Sequence, residues 1–312
     1  MKPSLIIAAA FVLGVAACAT ALASQATHSD ANVITAYYPE GPLWQGDKLY
    51  YAEMGADRVS VYENGQTHAF FTQEGCGPTA IAPYNQGFLV LCTIGGKVVA
   101  VDANGQSVRE WGQDADGHPL RDPNDGYTDA AGNVYFSDPG LFSRNTTPHG
   151  YVMRLAPDGT LTRASEVLWY PNGVYIAPNG VVYVDEHMAG RVLQYDEGPD
   201  GRLINRRVFV DINDVRRPQR YATPYAETGP DGLEMGPDGD LWVAIYGEGR
   251  ILRFSPDAHL VSIMELPTRY STNIAFNAHG DAATTGSFDN MTAPYPGEVR
   301  FHPASTLTRS GH

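Results

Sequence analysis

The sequence predicts an all-β fold, a six-bladed β-propeller. Three observations predict it: strand pairs recur six times, a short phrase returns at one phase of that repeat, and helical periodicity is missing between the pairs. The pairs are 49–53 with 59–62, 88–93 with 97–102, 134–138 with 151–155, 181–186 with 191–196, 241–246 with 251–255, and 281–287 with 298–302. They begin near residues 48, 87, 133, 180, 240 and 280, at intervals of 39, 46, 47, 60 and 40. A drifting repeat of this length, built of β-branched and aromatic runs opened by Gly or Asp, fits propeller blades. An α/β arrangement would need an amphipathic helix between successive strands, and none stands out.

In chain order, the first segment is an address. Lys2 precedes an apolar run from Leu5 to Ala17 with small residues after it, the pattern of a secretory signal and too short for a good membrane span. Ala21-Leu22-Ala23 offers cleavage before Ser24, which gives a signal over 1–23. Val15-Ala16-Ala17-Cys18 resembles a bacterial lipobox, which would end the signal at 17 and leave a lipidated Cys18 as a membrane anchor. Either ending implies export, to the periplasm or the medium.

Residues 30–305 read as one propeller domain, because no linker, charge block or low-complexity tract divides them. Residues 32–38 form a strand expected to complete the last blade and so remove an open sheet edge. Cys76 precedes one strand and Cys92 lies in the next, so a disulfide suits an oxidising compartment; two separate thiols are the alternative. Insertions at 141–150 and 198–229 mark the loops where a propeller's selectivity usually resides. The second contains Arg206-Arg207 and Arg216-Arg217, read as a solvated loop.

Gly (33) and Tyr (18) are plentiful and charged residues make up 18%, which suits tight turns and short strands. The net charge of −14 argues against a nucleic-acid or anionic-membrane partner but is compatible with a divalent cation or a neutral substrate. The expected partner is a small molecule and the expected state a monomer, since a closed propeller leaves little exposed edge.

The recurring phrase carries the chemistry. It appears as Pro39-Glu40-Gly41, Pro123-Asn124-Asp125-Gly126, Pro171-Asn172-Gly173 and Pro230-Asp231-Gly232. Singly, such a phrase reads as a turn. At one phase of a ring, its side chains should instead meet at one level of the central channel. The six equivalent positions are taken as Glu40, Pro78, Asn124, Asn172, Asp231 and Asn273. Glu40 and Asp231 match the charge of one divalent cation, and Asn124 and Asn172 add carbonyl oxygens, so these four are the candidate metal ligands. Such a hard oxygen site suits Ca²⁺ foremost, with Mg²⁺, Mn²⁺, Fe²⁺ or Zn²⁺ as alternatives. His and Cys are absent from the set, which argues against a structural zinc site. Asp125 is expected to point away and brace the turn, and His149 and His187 to be surface loop residues.

The repeat and these residues resemble the senescence marker protein/gluconolactonase family. The resemblance runs from about Glu40 to Arg300 and includes Glu40-Gly41-Pro42-Leu43-Trp44, Val134-Tyr135-Phe136-Ser137-Asp138-Pro139 and Asp240-Leu241-Trp242-Val243-Ala244. It implies a six-bladed propeller with one divalent metal held by Glu40, Asn172 and Asp231. Asn124 would be a further ligand or would hold substrate. It implies hydrolysis of a lactone, a sugar lactone or related cyclic ester, with Asp231 and Asn124 catalytic. Asp231 would take the proton of the attacking water or itself attack. Two other readings remain: a phosphotriesterase on the same fold, and a non-catalytic binding or scaffold propeller. A Gly-x-Ser-x-Gly elbow and a nucleotide-binding glycine loop are both absent from the sequence.

Overall fold

A computed structural model describes residues 32–307. Both signal endings and Cys18 lie outside the described residues. The chain forms six four-stranded antiparallel sheets. Blade one is β2 (Pro39–Gln45), β3 (Lys48–Glu53), β4 (Arg58–Glu63) and β5 (Gln66–Thr72); blade two is β6 (Pro78–Tyr84), β7 (Gly87–Cys92), β8 (Lys97–Val101) and β9 (Ser107–Trp111). Blade three is β10 (Gly126–Thr128), β11 (Val134–Asp138), β12 (Tyr151–Leu155) and β13 (Leu161–Arg163); blade four is β14 (Pro171–Ile176), β15 (Val181–Glu186), β16 (Arg191–Glu197) and β17 (Leu203–Asp211). Blade five is β18 (Gly229–Met235), β19 (Leu241–Tyr246), β20 (Arg250–Phe254) and β21 (Leu260–Glu265). Blade six takes β22 (Tyr270–Phe276), β23 (Ala282–Ser287) and β24 (Pro296–His302), and β1 (Val33–Tyr37) pairs with β24 as its outer strand. The ring is thus closed by the two ends of the described chain, as the sequence implied.

The six recurring pairs are the two middle strands of each blade. They are buried on both faces and carry the longest apolar runs, which is why the sequence shows them. The outer strands β5, β9 and β21 lean toward solvent, and their polar composition hides them. Nine residues of the expected insertion at 198–229 form one of these, β17; the longer loop is the stretch after it. Arg206 and Arg207 lie on β17 paired with Glu186 and Asp196, and Arg217 is bidentate on Glu248, so these three are ion-paired rather than freely solvated, while Arg216 is exposed.

Apolar packing follows the ring. Six clusters fill the six seams between blades, for example Leu89, Leu91 and Phe136 between blades two and three, and Tyr183, Leu233 and Phe254 between four and five. Each fully buried Leu or Phe contributes roughly 1.5–3 kcal/mol. Cys76 and Cys92 are joined in a disulfide that ties the entry of blade two to its second strand. Among the described residues, no helix is long and apolar enough to cross a membrane.

The recurring phrase is not a turn. In blades one, four and five it opens the inner strand and makes a β-bulge, between Glu40 and Leu43, Pro171 and Val174, and Pro230 and Leu233. Its glycine answers to close approach rather than to a reversal of the chain. A Cβ on Gly41 would meet the Thr79 carbonyl of the next blade, and one on Gly232 would meet the Asn273 side chain. Because β2 starts opposite the end of β3, the strand 2–3 hairpins and the blade-to-blade loops share the end of the channel where the phrase lies.

Candidate functional site

The bulge register corrects two positions. Pro78 pairs with Cys92 just as Pro39 pairs with Glu53, so Thr79 is the counterpart of Glu40. In blade six the bulge places Thr272 at that level and Asn273 one step deeper. The ring is therefore Glu40, Thr79, Asn124, Asn172, Asp231 and Thr272. The two threonines brace it. Thr79 donates to the Asn124 carbonyl at 2.7 Å and Thr272 to the Pro39 carbonyl at 2.8 Å, each locking the neighbouring blade.

The four predicted residues are buried and close together. Asn172 Nδ2 donates to Asp231 Oδ1 at 2.5 Å, and Asn172 Oδ1 is buried without a partner among the described residues. Burial, then the charges of Asp231 and Asp125, pushes the Glu40 carboxyl well up; burial and Asp125 do the same to Asp231. Asn124 reaches the group through Tyr170, whose hydroxyl is hydrogen-bonded to it. Two crowded carboxylates and an orphaned amide oxygen form an electron-rich, under-satisfied cup. An oxygen-seeking divalent cation fits it, because it would balance both charges and take the free carbonyl.

Beneath the cup, Asp185 fills the space beside Gly173 and accepts its N–H at 2.6 Å, with its other oxygen unpartnered. Asp125 does not point away. It is buried one step deeper, accepts from Asn273 Nδ2 at 3.2 Å, and is pushed by burial to about 7. Register explains the error: at a bulge two residues oppose one, so Asn124 and Asp125 both face the channel.

The histidines also differ from expectation in part. His149 is a loop residue, accepting from the Leu141 N–H and facing the Thr147 carbonyl. His187 is fully buried, with its ring nitrogens 2.7 Å from the Pro230 and Glu227 carbonyls. Two acceptors favour the cation, but burial outweighs them and lowers its pKa to about 4. At neutral pH it is an uncharged brace behind Asp231.

Sequence reasoning missed the tyrosines. Tyr38 and Tyr170 precede the phrase in blades one and four, across the ring from each other, and both adopt left-handed backbone (φ 49° and 57°). That conformation costs a bulky residue about 1–3 kcal/mol and clusters at functional sites. Tyr38 lies close enough to feel Glu40 and Asp231, and its hydroxyl is 2.7 Å from that of Tyr246. Tyr170 is close to Asp231 and Asp122 as well as Asn124. Burial raises the pKa of both hydroxyls, which keeps them protonated donors. The signal was legible as Tyr38-Pro39-Glu40 and Tyr170-Pro171-Asn172.

A second acidic group, Asp114, Asp116 and His118, brings ligand atoms within 4.8 Å of one another. It sits on the rim, where Ala115 bonds β13, not in the channel. Asp114 already accepts from the Asp116 and His118 N–H groups and pairs with Arg163 at 3.4 Å. This is loop chemistry.

Comparison with known proteins agrees with the fold. Lactonase drp35 of Staphylococcus aureus is 27% identical over 219 residues, 67% of this chain; the chain spans 63% of that relative's length. The Staphylococcus haemolyticus counterpart is 25% identical over 75% of this chain and 68% of its own. Two solved structures share the architecture. A gluconolactonase from Xanthomonas campestris superposes with a TM-score of 0.67 at 23% identity, covering 86% of this chain and 89% of its own. A calcium-binding regucalcin from Agrobacterium tumefaciens gives 0.68 at 17% identity, covering 86% and 94%. The SMP-30/Gluconolactonase/LRE-like region matches residues 38–285, and the chain belongs to that family.

Proposed function

We propose that the protein is an exported, divalent-metal-dependent lactonase whose active site is the cup of Glu40, Asn124, Asn172 and Asp231. The observation that carries the reading is the pairing of two buried carboxylates with the unpartnered Asn172 carbonyl, in a chain related to lactonases. Glu40, Asn172 and Asp231 would hold the ion, Ca²⁺ foremost, and Asn124 would complete the shell or hold substrate. The chemistry such an ion supplies is Lewis-acid polarisation of the lactone carbonyl and acidification of a neighbouring water.

The chain's own groups do the rest. Asn172 orients Asp231 through Oδ1, leaving its other oxygen to accept the proton of the attacking water. The water oxygen adds to the carbonyl carbon, the ring C–O bond breaks, and the proton passes to the departing alkoxide, giving a hydroxy acid. Tyr38 and Tyr170 donate toward the oxygen that gains charge. The Cys76–Cys92 disulfide supports export to an oxidising compartment.

The test is hydrolysis of a lactone panel by chelated protein with Ca²⁺, Mg²⁺, Mn²⁺, Fe²⁺ or Zn²⁺ restored, beside Asp231→Asn and Glu40→Gln. Activity that returns with metal in the wild type and in neither folded variant is the expected result. Metal binding with phosphotriester but no lactone turnover moves the reading to a phosphotriesterase. Metal binding without any turnover moves it to a binding propeller.

A further inference from the structure

We propose that Arg144 is a positioning residue that fixes Asp231, so that the blade-three insertion at 141–150 braces the cup. The inference rests on the lactonase reading and deepens it to how that site is held. The chain leading to Asp231 is irregular: between Asp214 and Gly229 it forms no strand or helix. The carbonyls of this stretch have no ladder to pair with and need donors from elsewhere. Arg144 provides two of them. Its Nε donates to the Ala226 carbonyl at 2.7 Å and its Nη2 to the Thr228 carbonyl at 2.6 Å. Its Nη1 donates at 2.8 Å to the carbonyl of Met188, beside His187. The His187 ring stands at the carbonyls of Glu227 and Pro230, and a Cβ on Gly229 would collide with the His187 carbonyl and ring. Ala226, Glu227, Thr228 and Pro230 thus each present a carbonyl to a side-chain nitrogen of blade three or four. Asp231 is the next residue.

The arrangement requires arginine. Guanidinium nitrogens only donate and carbonyl oxygens only accept, so each contact has one sense. The planar fork spans three carbonyls of two segments, which the single ammonium of a lysine does not. Local bonds turn the chain at this point: the Asn145 N–H donates to Ser143 Oγ at 3.1 Å, and Thr146 Oγ1 to the Ser143 carbonyl at 2.8 Å. Two residues before Arg144, the Phe142 ring packs 5.0 Å from Tyr170, 5.2 Å from His187 and 5.9 Å from Tyr246. The insertion is therefore pinned by one apolar and one polar side chain. Arg144 acts through the backbone and not on the substrate. A loose 226–230 segment would let Asp231 drift from Asn172, whose 2.5 Å bond aims it, and small misplacements at a reacting site are costly. Arg144 lies at the surface, so its replacement opens no cavity in the core.

Arg144→Met, which keeps the stem and removes the donors, tests this in the full chain beside Arg144→Lys, which keeps the charge. In metal-free protein, hydrogen exchange read by mass spectrometry should show residues 226–232 losing protection at least about tenfold in Arg144→Met, with the middle strands of blades one and two unchanged. Affinity for Ca²⁺ by calorimetry, and kcat on a lactone at saturating Ca²⁺, should each fall at least about tenfold, with KM within about twofold of wild type. Arg144→Lys should behave as Arg144→Met does. Unchanged Ca²⁺ affinity and kcat in folded Arg144→Met overturn the proposal. So does a raised KM at unchanged kcat, which would make the insertion a substrate wall, and so does full activity in Arg144→Lys. If the wild type neither binds metal nor opens a lactone, the lactonase reading fails separately and exchange decides the brace: unchanged protection of 226–232 overturns it, and a loss confined to that segment upholds it.

Discussion

The two ends of the central channel hold buried carboxylates in different ways. At the phrase end, the charge of Asp231 raises the Glu40 pKa, that of Asp125 raises the Asp231 pKa, and the Asn172 carbonyl has no partner among the described residues. At the other end a cavity of about 250 Å³ is lined by Asp125, Glu234 and Asn273. There each acid has its own donors. Asp125 accepts from the Gly126 N–H and from Asn273, and Glu234 from the Phe276 N–H, while burial lifts Asp125 to about 7 and Glu234 to about 8. Burying a carboxylate is costly unless something neutralises it. The lower chamber does this with protons. The cup's acids have donors too, Gly41 and Thr272 for Glu40 and Gly232 and Asn172 for Asp231, but they crowd one another beside an unpartnered amide oxygen, an arrangement that suits a cation.

The comparison can be broken most directly at Asp231. Asp231→Asn should abolish metal binding by calorimetry and lower lactone hydrolysis on the order of a thousandfold. In chelated protein the same change relieves repulsion, so the variant should melt above chelated wild type; a variant that melts lower would mean the carboxylates are already satisfied. Tyr170→Phe keeps the ring and removes the donor, and should reduce kcat/KM about tenfold with metal affinity intact. An unchanged rate would make Tyr170 a wall only.

Restoring metal to chelated wild type at about 100 times its Kd should stabilise the fold by roughly 2.7 kcal/mol, or about 5 °C in Tm by scanning calorimetry. The smallest effect belongs to the lower chamber. Glu234 has a folded pKa of about 8, above its ordinary 4.5, so the native state holds a proton that the unfolded chain releases. Its stabilising contribution is complete below the unfolded pKa and fades as pH rises through about 8. Glu234→Gln should flatten the decline of Tm between pH 5 and pH 9 that wild type shows. An identical decline in the variant would assign it to other groups.

The middle strands of every blade were legible because burial on both faces forces apolar runs, and ring closure was legible because residues 32–38 had no partner nearby in sequence. The cup was legible as a phrase repeated in phase. The outer strands escaped because they are exposed, and Tyr38 and Tyr170 escaped because their left-handed backbone cannot be read from periodicity.

By itself, then, the sequence determined the six-fold repeat and its all-β character, and it singled out the four residues proposed here as the metal cup, since patterning and spacing are properties of the chain alone. Only the tertiary structure decided that the phrase is a bulge, that Thr79 and Thr272 rather than Pro78 and Asn273 complete the ring, that Asp125 faces inward, and that Arg144, Arg220 and Arg269 reach backbone carbonyls of other loops and strands. A bulge shifts the inward-facing register by one residue, and a loop arginine's partner lies tens of residues away. Both depend on how neighbouring blades meet, which no local pattern encodes.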